Sequence, residues 1–532
     1  MRVRTGPWLP DLPPLDGGSL TVKNCLPILG GYAPLRSLES FSSALDSTCL
    51  GAVYVLDQAG DVQGFAGDAG KLYQLTGVSA AWADVSQVGG YATTGENTWN
   101  YTQLNQLLIA TNYDDAIQYW DFPGGSTAFA DLSADAPQAK YCTTVKGNVL
   151  IVGNVIDGTY GYGTQPYRLW TPSINDPTSW PDPDTDAAVQ VLSVFRDLNP
   201  NFGHITGLIG GLASADAVAF QQRGVSRLIY TGVGQVLEHD ELEGVRGTSA
   251  PRSICQAGGI AFYIGEDGFY AFDGSSSAPI GSGAVDQTFL GLVDQTLLHE
   301  IVSVAHPTRR LVYWAIPSND GETLLFIHNV ESKEWAYSDG IEVEEFARAL
   351  SPGWTLEDLD SVYASLEDVP GSLDDPIWRG SKIPTLAAFN STHELAIFGG
   401  DALEATLETV ETEPFPGRRA HLDSIIPLTD APSCSVRARL RDRQADAASD
   451  SVAVGLDDAG RCVIDACGRY MAWQLTIPAG AEWTQAQGLE VSAQPAGCAN
   501  PSFTVASSIE NPFLLDGDGQ PLTDGSGELL LA

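Results

Sequence analysis

Two of the chain's seven histidines stand beside carboxylates able to tune an imidazole for general acid–base work: His239 in EHDELE and His299 in LLHE. Neither has a serine, threonine or cysteine at a spacing that would make it part of a nucleophilic site, so the surface reading outweighs the catalytic one. No G-x-S-x-G elbow, H-E-x-x-H pair or glycine-rich phosphate loop occurs. Asp and Glu are so numerous that a paired-carboxylate glycosidase centre can be drawn in many places and is supported in none. The DGDG run at Asp516 to Gly519 fails as a calcium loop, because Pro521 stands where the turn glycine belongs. Eight cysteines are scattered without a C-x-x-C pair, which removes zinc-knuckle and dithiol readings and leaves small apolar packing groups. Trp120, Trp170, Trp180, Trp335 and Trp473 read as core rather than as a sugar platform. No catalytic residue, cofactor or metal ligand is expected.

The elements that carry these residues are strands. With 56 glycines and 31 prolines the chain is rich in turns, and short apolar or alternating runs recur between them every 40 to 60 residues. Such runs include AVYVL with VQGFAG and KLYQL, LNQLLIATNYDDAIQYWDF, KGNVLIVGNVIDG with YRLWTP, and ADAVAFQQRGVSRLIYTG. The series continues through GGIAFYIGEDGFYAFDG, RRLVYWAIPSNDGETLLFIHNVESKEWAYSDG and HELAIFGG. That is the period of a propeller blade, a small antiparallel sheet of about four strands. EDG at Glu266 to Gly268 and NDG at Asn319 to Gly321 supply tight hairpin turns.

The expected fold class is therefore all-β, with β-propeller-like repeated antiparallel blades followed by a small β-sandwich-like domain. The expected divisions are an extended N-terminal arm over 1–29 and six or seven blades over 30–413, with a helical excursion near 284–302. A sandwich-like domain over 414–499 and a flexible Gly/Asp-rich tail over 500–532 complete the chain. Alternating strands SVRARLRDR, SVAVGLD and RYMAWQLTIPAG mark the sandwich, and arginine is concentrated between Arg418 and Arg469.

The charge is extreme, 27 basic against 67 acidic residues and a net −40. Duplex binding by phosphate neutralisation is excluded as the main task, and polyanions are repelled over a Debye length of roughly 10 Å at 0.1 M salt. A saline environment also favours such a surface. The first residues carry no apolar leader pattern, and no apolar run is long enough for a membrane-spanning helix.

Five segments in order then carry a resemblance: IATNYDDAIQYWD (Ile109 to Asp121), SINDPTSWP (Ser173 to Pro181), GRRAHLDSIIPLTD (Gly417 to Asp430), GRYMAW (Gly468 to Trp473) and IPAGAEW (Ile477 to Trp483), with GGYAPL at Gly30 to Leu35 before them. Over residues 20 to 498 the chain resembles the tail hub or nozzle proteins of short-tailed bacteriophages, also called packaged-DNA stabilisation or tail tubular proteins. The resemblance implies a structural virion protein assembled in the host cytoplasm. It implies a ring, a homohexamer, that continues the DNA channel below the portal and adaptor, retains packaged DNA and conducts it at ejection. The implied partners are further copies, the adaptor ring, tail fibre, spike or needle proteins, and DNA passing without sequence-specific contact. Asn112, Asp176, Trp180, Arg418 and Arg419 fall in the matching segments and are expected to serve structure or assembly, the arginines by pairing with carboxylates of an adjacent copy. The competing reading is a host-surface glycan-recognition or carbohydrate-active propeller of the tail.

Overall fold

A computed structural model describes residues 1–15, 17–57, 59–76, 80–212, 215–232, 236–244, 246–350, 384–496 and the single positions 360 and 365. The fold is almost entirely antiparallel β-sheet, arranged as a propeller-like ring of seven four-stranded blades and a sandwich-like domain. The first six blades are consecutive in sequence. Their innermost strands are Gly51–Leu56, Asn100–Leu104, Gln138–Val145, Ile205–Leu212, Cys255–Ala257 and Val302–Ala305. The repeat predicted from the short apolar runs is the repeat observed, and the EDG and NDG turns close hairpins with Gly268 and Gly321 at positive φ.

Middle strands are apolar along their whole length because both faces are covered by neighbouring blades. Leu311–Pro317 of blade 6 and Val149–Asp157 of blade 3 are buried almost end to end. Each gap between blades holds its own core. Phe65, Trp120 and Phe129 fill the space between blades 1 and 2, and Phe220, Tyr263 and Phe272 the space between blades 4 and 5.

Blade 7 is made from both ends of the ring. Glu345–Leu350, Pro384–Phe389 and Glu394–Ile397 supply three strands, and Glu39–Ala44, which precedes blade 1, adds the fourth. Ala396 pairs with Ser40 and Ile397 with Glu39, while Asn390 Nδ2 donates to Ser40 Oγ at 2.8 Å.

The N-terminal segment does not lie free of the fold as an arm. Arg2–Arg4 pairs with Ala486–Ala496 on one sandwich sheet, and Ser19–Lys23 pairs with Ala405–Thr409 on the other. Cys25–Ile28 and Gly31–Pro34 form a hairpin on the first sheet through Tyr32 and Ala486. The sandwich therefore begins at residue 405 and includes residues 1–34, because the last strands of a sandwich need partners and the nearest unpaired strands are those of the N-terminus. Its second sheet runs on through Lys23 and Tyr337 into blade 6. One large core joins blades 5 and 6 to the sandwich through Trp314, Trp335, Trp473 and Trp483.

The excursion near 284–302 is less helical than its apolar stripe predicts: a seven-residue helix Asp286–Leu292 and a single 3-10 turn Leu298–Glu300. The helix start is held by the N-terminal segment, since Asp11 accepts the Gln287 and Thr288 amides at 2.8 Å each and the Thr288 hydroxyl at 2.7 Å. Asp286 is buried beside it, accepts the Phe269 amide at 3.0 Å, and fits only because Gly281 has no Cβ, which would stand 2.0 Å from its Oδ1. The expected tail over 500–532, and Cys498, lie outside the described residues.

Three of the arginines between 418 and 469 form a ladder on one strand. On Ser435–Arg441 the residues Val436 and Ala438 point into the core, and Arg437, Arg439 and Arg441 point to the other face. Arg439 meets Glu408 at 2.8 Å and Asp450 at 3.0 Å, and Arg441 Nε donates to Glu411 at 2.9 Å.

Two outcomes are expected. Gly488→Ala places a Cβ 2.2 Å from the Val3 carbonyl oxygen at a φ of 146°, so urea unfolding should show about 1–3 kcal/mol lost and hydrogen exchange should show residues 2–4 released. The Asp286 carboxyl is pushed up to about 6, first by burial and then by Asp11 and Asp267. Its folded pKa lies above its unfolded value near 4, so the stability it contributes is complete below pH 4 and is lost as pH rises through 6. Asp286→Asn should therefore gain stability relative to the parent, by up to about 2–3 kcal/mol, between pH 4 and 7. His328, held down to about 4 by burial, changes stability in the opposite sense over part of that window in both proteins, so the difference between the two melting curves isolates Asp286.

Candidate functional site

The ring axis forms a funnel. Its shaft, about 260 Å³, is lined by inner-strand residues including Asn100, Tyr101, Tyr141, Leu208, Ser303 and Glu345. Its mouth, about 340 Å³, is built from the connections between blades: Thr48, Glu96, Asn97, Arg252, His299, Glu300 and Glu344. Thr98 and Arg252 line both spaces. These residues belong to separate connections, each turned toward the axis because a propeller returns from every outer strand to the next inner strand across the same face.

Arg252 sits in the 3-10 turn Pro251–Ser253 at the neck of the funnel. Its Nη2 donates to Glu345 at 2.5 Å and to the Glu344 carbonyl at 3.0 Å, and its own carbonyl accepts from Ser303 Oγ at 2.9 Å. Both charged side chains are largely buried, which makes the pair a bond between blades 4/5 and blade 7. Glu344 is fixed as well, with Oε1 at 2.7 Å from His393 Nδ1 and Oε2 accepting the Cys49 amide at 3.1 Å. With Arg252 paired to Glu345 and Glu344 held by His393, the remaining charge at the mouth comes from Glu96 and Glu300. Among the described residues that line the mouth, a phosphate or carboxylate finds no unpaired lysine or arginine.

Among the described residues the geometry supplies no assembled nucleophile. His299 lies 3.8 Å from Glu96 and 3.9 Å from Glu300, beyond hydrogen-bond reach of either. His306 is pushed down to about 4 by burial and the nearby Arg309, and its Nδ1 accepts the Thr308 and Arg309 amides as a local turn. His239 stands half-exposed on the outer strand of blade 4, opposite Leu228. Burial pushes the Cys255 and Cys434 thiols up to about 12 and Cys25 and Cys142 higher still, the opposite of an activated thiolate. Among the described residues no three His, Cys, Asp or Glu side chains gather to hold a metal ion, and no helix is long and apolar enough to cross a membrane.

The residues singled out from the sequence are not brought together. Asn112, fully buried in blade 2, donates to Asp115 at 2.8 Å and to Thr93 Oγ1 at 2.9 Å while accepting the Asp115 amide at 2.9 Å. Asp176 accepts from the Thr178 hydroxyl and amide at 2.6 and 3.1 Å. Trp180 packs against Trp170 with ring centres 6.2 Å apart and donates to the Pro177 carbonyl at 2.6 Å. Arg419 reaches Asp442 of its own chain at 3.0 Å and the Cys467 carbonyl at 3.1 Å, while Arg418 is exposed. Trp120, Trp170, Trp180, Trp335 and Trp473 are all buried, so none offers a face to a sugar. The DGDG fragment lies outside the described residues.

Arg252, Glu344 and Glu345 escaped the sequence reading. The charged pair is separated by 93 residues, and only closure of the ring places both on one axis. Comparison of the chain with protein-family models and with curated proteins gives no match in either.

Removing one member of the neck pair leaves the other charge buried and unpaired. Arg252→Met is expected to lose about 3–5 kcal/mol in urea unfolding, and Arg252→Met with Glu345→Leu to recover most of it. Equal losses in the single and double variants would sink the pairing.

Proposed function

We propose that the chain is a structural, non-enzymatic subunit of the tail nozzle or hub of a short-tailed bacteriophage particle. Copies form the ring that continues the DNA channel below the portal and adaptor, retains packaged DNA and conducts it at ejection. The observation that carries this reading is the ordered series of five segments from Ile109 to Trp483 that resembles that family. Their side chains are engaged in turns, strand pairs and buried rings, the occupation expected of a wall.

The charge agrees with a conduit. Residues 35–404 hold 16 basic and 47 acidic residues, a net −31, so a phosphate backbone near the propeller meets repulsion rather than adhesion. The axial shaft of about 260 Å³ is no route for a duplex whose major groove alone is about 12 Å wide. A channel for DNA therefore belongs between copies, with the propellers as rigid staves around it.

The test is the mass and shape of the purified chain, alone and mixed with a candidate adaptor ring, by light scattering and negative-stain imaging. Closed rings with a central channel, formed alone or on the adaptor, are the expected result. A chain that stays monomeric and ignores the adaptor overturns the reading and moves the weight to glycan recognition.

A further inference from the structure

Charge is divided unequally along the chain. Against the net −31 of residues 35–404, the sandwich residues 1–34 and 405–496 hold 11 basic and 15 acidic residues, a net −4. Two copies meeting propeller to propeller would bring like charges together within the screening distance of roughly 8–10 Å. Meeting through the sandwich keeps those charges apart.

One face of the sandwich is suited to such a contact. The sheet made by Arg2–Arg4, Ala486–Ala496 and Arg419–Thr429 turns Val3, Leu489 and Ile425 into the core and its alternate residues outward. Arg2, Glu490 and Ile426 stand side by side on the outer face in three successive strands. Ile425 pairs with Cys462, both fully buried, so Ile426 and Val463 turn out beside them, 39% and 56% exposed. Apolar groups thus sit among charges of both signs on a sheet face that the other described residues leave exposed.

We infer that this outer sheet face, centred on Ile426 and Val463 and flanked by Arg2, Arg4 and Glu490, is the surface on which a second copy of the chain docks. The inference rests on the ring-forming reading above and names one of the two surfaces by which each copy meets its neighbours in such a ring. Apolar contact is removed from water at its centre, and the arginines and glutamate at its edge can each be paired by an opposite charge.

The test uses the full chain in sedimentation velocity, alone and on the adaptor ring, at about 0.05 and 0.5 M salt. Ile426→Asp with Val463→Asp changes exposed positions, and an unchanged melting temperature shows that the fold is intact. Arg2→Glu with Arg4→Glu is the second variant, probing the flank without touching the apolar centre. Association that weakens about tenfold or more in the double aspartate variant at both salt concentrations supports the inference. Rings that form equally well in both variants overturn it while leaving the nozzle reading in place. A parent chain that neither self-associates nor assembles on the adaptor overturns both.

Discussion

A ring of blades holds only when its last blade is joined to its first, since every other blade is gripped on two sides and the terminal ones would each lack a neighbour. Here the joint is the pairing of Glu39–Ala44 with Glu394–Ile397, two segments some 350 residues apart. The remaining structure depends on that joint. It completes the core between blades 7 and 1, where Phe389, Leu395 and Tyr73 meet, and it brings Glu344 to His393 and to the Cys49 amide. The entropy of closing so long a loop grows only slowly with its length, so a few strand pairs and a dry core suffice to hold it.

The sandwich repeats the same logic. Its C-terminal strands from residue 405 onward lack enough partners, and the first 34 residues supply them. Both chain ends are thereby fastened to one body, and that body is continuous with blade 6 through Lys23 and Tyr337. Asp11 extends the clasp to the helix Asp286–Leu292, so the N-terminal segment ties the sandwich to the excursion between blades 5 and 6.

Charge is handled by position. Four arginines of the sandwich, Arg437, Arg439, Arg441 and Arg469, are paired with Glu408, Glu411, Glu413 and Asp450, three of them in alternate positions of one strand where no side chain buries its charge alone. The acidic excess is left to the propeller. Among the described residues at the funnel, the arginine Arg252 is matched to Glu345, and Glu96 and Glu300 keep the mouth acidic.

The residues by themselves determined the all-β class, the repeat of short apolar strands, the hairpin glycines Gly268 and Gly321, and the change of pattern that marks the sandwich. These follow from local chemistry: alternation, turn residues and burial on two faces are written within a dozen neighbouring positions. They also made Trp180 and Asn112 legible as packing and turn residues, because a tryptophan or an Asx turn is satisfied by atoms close in sequence. Only the tertiary structure decided that the N-terminal segment belongs to the sandwich, that Glu39–Ala44 closes blade 7, that the apolar stripe at 284–302 yields one short helix, and that Arg252 and Glu345 share an axis. Each of these is a pairing between segments far apart in sequence. A strand's own alternation states that it needs a partner on either edge and says nothing of which strand that will be.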